Sequence, residues 1–239
     1  MSFIQEIVDR LNRNPFNSLA IIGKPGTGKS TLGFLVAELL SKYFYYTKEP
    51  EALDVDNLKL IKQGFAFANG RRLVLFFDDF SFAISGRSQK DRQRLKNLVE
   101  IRHILGEKRR YFVILVGHYI RSLAPTLRSA HIKILTSLDA TEINLYSTEY
   151  MFSENSLIAY LEYLTERPKD HIVLVNYGTT EKIINLTLPR VGVLTRHIKV
   201  EEYGPWLLYR FAFDKKKLLN TEKVDIILED EDENGNNNS

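Results

Sequence analysis

Gly23-Lys24-Pro25-Gly26-Thr27-Gly28-Lys29-Ser30 satisfies every position of the phosphate-binding pattern G-x-x-x-x-G-K-[ST]. Its flanks are those the pattern needs. Ser18-Leu19-Ala20-Ile21-Ile22 is a short apolar run suited to a buried strand. Thr31 to Leu40 places Leu32, Leu35, Val36, Leu39 and Leu40 at helical spacing. The glycines admit backbone conformations that a Cβ penalises. The loop amides then turn inward toward phosphate oxygens at the positive end of the following helix. Lys29 is spaced to reach β- and γ-phosphates, and Ser30 to offer a hydroxyl to Mg²⁺. The expected nucleotide contacts run without a gap from Gly23 through Thr31.

A second stretch complements the first. Leu73-Val74-Leu75-Phe76-Phe77 is continuously apolar and ends in Asp78-Asp79, as a parallel strand buried on both faces would. Asp78 is expected to hold Mg²⁺, directly or through water. Asp79 is expected to orient or deprotonate an attacking water. The next apolar run, Tyr111 to Val116, closes on Gly117-His118, and Ile132-Lys133-Ile134-Leu135 reads as a further strand. A helix about Phe3 to Leu11 precedes the first strand. A basic helix is expected over about Gln89 to Leu105, with Leu95, Leu98, Val99 and Leu105 inside, and a short helix around Leu123 to Ser129. Strands alternating with helices imply a parallel sheet with helices on both faces.

Composition narrows the classes. The 239 residues are 44% hydrophobic and 26% charged, ordinary for a globular chain. There are no cysteines, so disulfides, thiolate zinc sites and cysteine nucleophiles are excluded. Neither a signal peptide nor an apolar run of membrane-spanning length (about 20 residues) is visible. A cytoplasmic location is expected, the host cytoplasm if a virus or plasmid encodes the chain. The net charge of +3 conceals an asymmetry. Five acidic residues occupy Glu229 to Glu233, so residues 1–228 carry +8. A basic body fits a polyanionic partner.

The C-terminal third changes character. Ser153 to Glu166 reads as a helix with Ser153 as N-cap and Pro168 just beyond its end. His171 to Asn176 and Lys182 to Leu188 read as a hairpin around Tyr177-Gly178-Thr179-Thr180, followed by a β-rich stretch over about Ile198 to Phe213. The organisation expected is a core over residues 1–140, a helix plus β-hairpin region over 141–228, and a disordered acidic tail over 229–239.

The phosphate loop, the strand ending in an acidic pair and the polar residue closing the next strand resemble the additional-strand ATPases. That group includes AAA+ proteins and the FtsK/HerA DNA motors with their viral packaging relatives. The resemblance covers about residues 15 to 136. It implies an α/β fold: a P-loop NTPase with a parallel sheet flanked by helices, here with a β-rich C-terminal appendage. It also implies hydrolysis of ATP with Mg²⁺. By the same resemblance His118 falls where a polar sensor of the γ-phosphate sits. Arg128, just before the last strand, falls where relatives place a finger reaching a neighbour's nucleotide in a ring; Arg87 is the competing candidate and Arg121 lies nearby. One departure is Asp79, where members commonly carry glutamate. Aspartate is one methylene shorter and must reach water from a shifted backbone.

Three jobs fit such a site. The segment Val116 to Ser137 resembles the corresponding part of viral and plasmid packaging ATPases, which implies an oligomer, in all expectation a ring, acting on double-stranded DNA. Lys90, Arg92, Arg94 and Lys96 on one helix, with Lys108-Arg109-Arg110 after it, suit phosphate contacts that do not read sequence. An AAA+ replication initiator or loader shares the core but normally adds a helical lid, and here strands follow Ser153 to Glu166. A nucleotide-dependent regulatory switch with little hydrolysis is the third.

Overall fold

Strand β1 (Phe16–Ile22) sends Leu19 and Ile21 to one apolar core and Ala20 and Ile22 to another. Strands β3 (Arg72–Phe77) and β4 (Arg110–Gly117) divide the same way. Val74, Phe76, Phe112, Ile114 and Val116 join the first core, and Leu73, Leu75, Phe77, Tyr111, Val113 and Leu115 the second. All are buried. A strand covered on both faces has no polar side, which is why these runs are continuously apolar. The computed structural model describes residues 3–13, 16–41, 44–67, 72–79, 88–105, 110–118, 130–186, 197–203, 206–211 and 224–229.

The remaining strands are β2 (Phe44–Thr47), β5 (Ile132–Leu135), β6 (His171–Asn176), β7 (Glu181–Leu186), β8 (His197–Tyr203), β9 (Trp206–Phe211) and β10 (Val224–Glu229). They form one sheet in the order β10-β7-β6-β5-β1-β4-β3-β2-β9-β8. The five strands from β5 to β2 are mutually parallel; β6, β7 and β10 on one side, and β9 and β8 on the other, are added antiparallel. The C-terminal hairpin therefore continues the core sheet, with Leu174 of β6 opposite Leu135 of β5. Its turn closes through Tyr177 N–H to the Thr180 carbonyl, 2.9 Å, with Gly178 at φ 94°.

Helices α1 (Phe3–Asn12) and α2 (Lys29–Leu40) cover the first core. Helices α3 (Val55–Phe67), α4 (Gln89–Val99), α5 (Ile101–Leu105), α6 (Ile143–Tyr150) and α7 (Glu154–Glu166) lie on the second face. The chain runs outward from β1 to β2, then back through β3 to β4. Right-handed crossovers in opposite directions place their helices on opposite faces, as α2 and α3 are. Ser153 caps α7, its Oγ accepting from Ser156 N–H at 3.1 Å. No helix among the described residues is long and apolar enough to cross a membrane.

Two expectations are corrected. The helix anticipated over Gln89 to Leu105 is interrupted at Glu100, which leaves helical geometry at ψ 5°. Val99, expected inside, is 59% exposed, and Ile101 beyond the break fills the core instead. The anticipated helix around Leu123 to Ser129 lies outside the described residues.

Candidate active site

The phosphate loop begins where β1 ends and is gripped by the ends of the two strands beside it. On the β4 side Gly23 N–H donates to the Gly117 carbonyl, 3.3 Å. On the β5 side Thr136 N–H donates to the Ile22 carbonyl, 2.8 Å, and Ser137 Oγ accepts from Lys24 N–H, 2.7 Å. Thr27 Oγ1 donates to the Lys24 carbonyl at 2.9 Å and lies 2.6 Å from Thr136 Oγ1. The Lys24 ammonium pairs with Asp139. Gly23 sits so close to Thr136 that a Cβ would overlap its Oγ1. Gly28, at φ 80°, turns the chain into α2. No side chain caps that helix end and its first turn carries no acidic residue, which leaves a positive terminus suited to an anion.

Lys29 is 4% exposed and its ammonium donates to the Lys24 carbonyl across the loop. Burial pulls its pKa below the ordinary lysine value, although Asp79 and Asp78 oppose this. Thr31 is buried behind it, while Lys24 and Pro25 lie exposed on the loop's rim.

Parallel register brings the end of β3 level with the loop. Asp78 is 1% exposed. Its Oδ1 accepts from Ser30 Oγ at 2.9 Å and from Asp79 N–H at 3.1 Å; its Oδ2 accepts from Tyr46 OH at 3.0 Å. A buried carboxylate needs this degree of satisfaction. Ser30 Oγ and Asp78 Oδ1 are two hard oxygens side by side, the donor type that Mg²⁺ takes from protein when phosphates and waters supply the rest. Among the described residues no group of three or more His, Cys, Asp or Glu could hold a metal, so the pair fits a phosphate-associated ion and not an all-protein cage.

Asp79 has a left-handed backbone, φ 53°. Its Oδ1 lies 2.6 Å from His118 Nε2 and its Oδ2 3.2 Å from Lys48 Nζ. Lys48 also reaches Asp78 Oδ2 at 3.7 Å. Burial works against ionisation of Asp79, but the hydrogen bond and charge of Lys48, with those of His118, outweigh it and hold the carboxyl below the usual range. For Lys48 burial is likewise outweighed, by Asp79 and Asp78, and its pKa is raised. The geometry offers a carboxylate ionised at neutral pH, held between two donors from neighbouring strand ends.

Gly23 to Ser30, Asp78, Asp79 and His118 are thus drawn together by β1, β3 and β4. Arg87, Arg121 and Arg128 lie outside the described residues. Sequence reasoning missed Tyr46 and Lys48, at and just beyond the end of β2, and Thr136, Ser137 and Asp139 beyond β5. No local pattern marks them; only their place at strand ends does. The basic helix is also changed. Arg94 is 5% exposed and bound to Asp54 (Nε–Oδ1 2.8 Å, Nη2–Oδ2 3.2 Å) and to Glu51 (2.9 Å). It clamps α4 to the turn before α3 and is lost to any polyanion. Lys90 lies 3.9 Å from Asp54, and Lys96 3.9 Å from Glu100.

Comparison with known proteins assigns the core to a family. Residues 19–138, half of the chain, match the model of the ATPase family associated with various cellular activities (AAA). The vacuolar protein sorting-associated protein 4 of Dictyostelium discoideum is 30% identical over 91 residues, 36% of this chain. The chain spans only 20% of that relative's length. Among solved structures, the genome packaging NTPase B204 of Sulfolobus turreted icosahedral virus 2, in complex with ATP-gammaS, superposes with a TM-score of 0.49 at 15% identity, covering 71% of this chain and 97% of that one. A KaiC-like protein of Pyrococcus horikoshii gives 0.43 at 16% identity, covering 72% and 85%. On the strength of the family match over its β1-to-β5 core, the chain belongs to the AAA family of ATPases.

Proposed function

We propose that the chain is a Mg²⁺-dependent ATP hydrolase that couples nucleotide binding and hydrolysis to movement or packaging of double-stranded DNA, working as a homo-oligomer in the cytoplasm. The observation that carries the hydrolytic part is the 2.9 Å contact between Ser30 Oγ and Asp78 Oδ1, with Asp79 beside it. In this reading the loop amides from Gly23 to Thr31 and Lys29 bind the phosphates. Ser30 and Asp78 hold Mg²⁺, which when bound screens phosphate charge. Asp79 accepts a hydrogen bond from the attacking water and orients it, a task its depressed pKa suits better than full proton abstraction. His118 and Lys48 fix that carboxylate, and His118 is assigned the sensing of the γ-phosphate. Arg128 is assigned to a neighbour's nucleotide.

The DNA part rests on the +8 charge of residues 1–228 and on the resemblance of Val116 to Ser137 to packaging ATPases. The loss of Arg94 from the basic helix moves that contact toward other cationic residues. A second reading, a nucleotide-dependent switch with little hydrolysis, draws on one observation: both Asp79 oxygens are engaged by cationic or donor groups. ATP turnover measured with and without double-stranded DNA, with Lys29→Ala as control, separates them. Lys29-dependent turnover stimulated by DNA supports the motor. Lys29-dependent binding with little turnover, indifferent to DNA, supports the switch.

A further inference from the structure

One buried hydrogen bond at the acidic strand end comes from a tyrosine. Parallel register sets Tyr46 of β2 beside Phe76 of β3, on the face that α2 covers. The ladder runs one residue past β3, with Asp78 N–H donating to the Thr47 carbonyl at 2.9 Å. Side chains alternate along a strand, so Asp78, two residues beyond Phe76, returns to the same face. There Tyr46 OH donates to its Oδ2 at 3.0 Å, while Oδ1 accepts from Ser30 Oγ at 2.9 Å. The phenol ring is packed against Phe34 of α2, 5.0 Å between centroids, and edge-on to Phe76 at 5.3 Å; Phe34 and Phe76 meet each other at 4.7 Å. A ring packed on two neighbours presents its hydroxyl from a fixed place. The torsion that turns a carboxylate about its own bond is by contrast broad, so a partner on one oxygen is needed to keep the other aimed. Lys48 Nζ stands 3.7 Å from the same Oδ2, but on a side chain that is 52% exposed and shared with Asp79.

We infer that Tyr46 is a positioning residue for the cation: its hydroxyl, clamped by Phe34 and Phe76, holds Asp78 with one oxygen turned to Ser30, and so sets how tightly Mg²⁺ is retained beside bound nucleotide. The inference rests on the proposal that Ser30 and Asp78 hold Mg²⁺, and the test keeps the two apart. Tyr46→Phe removes one oxygen and keeps the ring. Mn²⁺ is titrated as a paramagnetic stand-in for Mg²⁺ into protein held in excess over the nonhydrolysable analogue AMPPNP, and free Mn²⁺ is read from its electron paramagnetic resonance lines. Calorimetry in EDTA gives the affinity for AMPPNP without metal. Loss of an outer partner of a metal ligand costs about 10–100-fold in metal affinity. Tyr46→Phe is therefore expected to weaken Mn²⁺ retention by about tenfold or more and to leave metal-free AMPPNP binding unchanged. Ser30→Ala, which removes a proposed ligand, should weaken retention as well. Wild-type retention by Tyr46→Phe, with Ser30→Ala impaired, overturns the role of Tyr46 alone. Wild-type retention by Ser30→Ala overturns the metal reading on which it rests. Equal losses with and without metal in Tyr46→Phe would show that the hydroxyl supports the fold of the site and not the cation, which also overturns the inference.

Discussion

Replacing Asp79 by asparagine separates catalysis from stability at one atom's cost. At φ 53° the position is left-handed, where asparagine is tolerated, whereas alanine would add about 1–2 kcal/mol of strain. The amide keeps the shape and an acceptor but removes the charge facing Lys48 at 3.2 Å and His118 at 2.6 Å. Solvent reaches both Lys48 (52% exposed) and Asp79 (38%), so the lost ion pair contributes only about 0–1 kcal/mol. In a chain of this size that is a melting shift of roughly 2–4 °C at most. If Asp79 aligns or deprotonates the water, turnover falls by about 10²–10⁴, equivalent to roughly 3–5 kcal/mol of barrier. Phosphate release at saturating ATP, ATP affinity by calorimetry and a thermal melt read the three quantities separately. Turnover within about threefold of wild type would refute the role of Asp79 and move the water-activating group elsewhere. Lys48→Ala sharpens the argument. Without that ammonium the Asp79 pKa rises, so the acid limb of the turnover–pH profile moves to higher pH. An unmoved limb would show that another group sets it.

Lys29→Ala should abolish ATP binding while leaving far-ultraviolet circular dichroism unchanged; normal hydrolysis by that variant would place the site elsewhere. Gly33→Ala puts a Cβ 2.6 Å from Phe76 Cζ and 3.2 Å from Val116 Cγ2, where Phe76 already packs on Phe34 at 4.7 Å between centroids. Overpacking should lower stability by about 1–3 kcal/mol, less any helix-propensity gain, and an unchanged denaturation midpoint would mean that the rings yield freely. Arg94→Ala should destabilise by about 1–2 kcal/mol, a buried-pair cost discounted for the partly exposed Asp54 and Glu51, without reducing DNA affinity; lost DNA binding in a stable variant would return Arg94 to the nucleic-acid surface. Asp54, held low mainly by its hydrogen bond from Arg94, and Asp79 both have depressed pKa values in the fold. Their contributions are complete above the unfolded carboxylate value of about 4 and vanish as pH falls through the lower folded values. The wild type should therefore lose melting temperature below about pH 4, and Arg94→Ala should show a shallower loss.

Much of the site was legible because it is local. Eight consecutive residues specify the phosphate loop, and the strand before it and helix after it announce themselves by apolar run and helical period. The acidic pair was legible because a doubly covered strand leaves an unbroken apolar run and ends where its polarity begins. Strand β2 is different. Four residues, Phe44 to Thr47, are too few to display a period. Val99 and Ile101 exchange places through one backbone break at Glu100 that no side-chain pattern foretells. Arg94 reads as one more cation in a basic helix until α3 and its preceding turn bring Glu51 and Asp54 against it.

The sequence by itself determined that this chain builds a phosphate-binding loop on a parallel α/β sheet with an acidic strand end to match, because those features follow from residue type and spacing within short segments. Only the tertiary structure decided which distant residues complete the site. Lys24 meets Ser137 across 113 residues of chain, and Lys48 meets Asp79 across 31. The reason is physical. In a parallel sheet all strands end at the same edge, so strand order and register select the side chains that converge there, and both are properties of the packed sheet, invisible in any one strand.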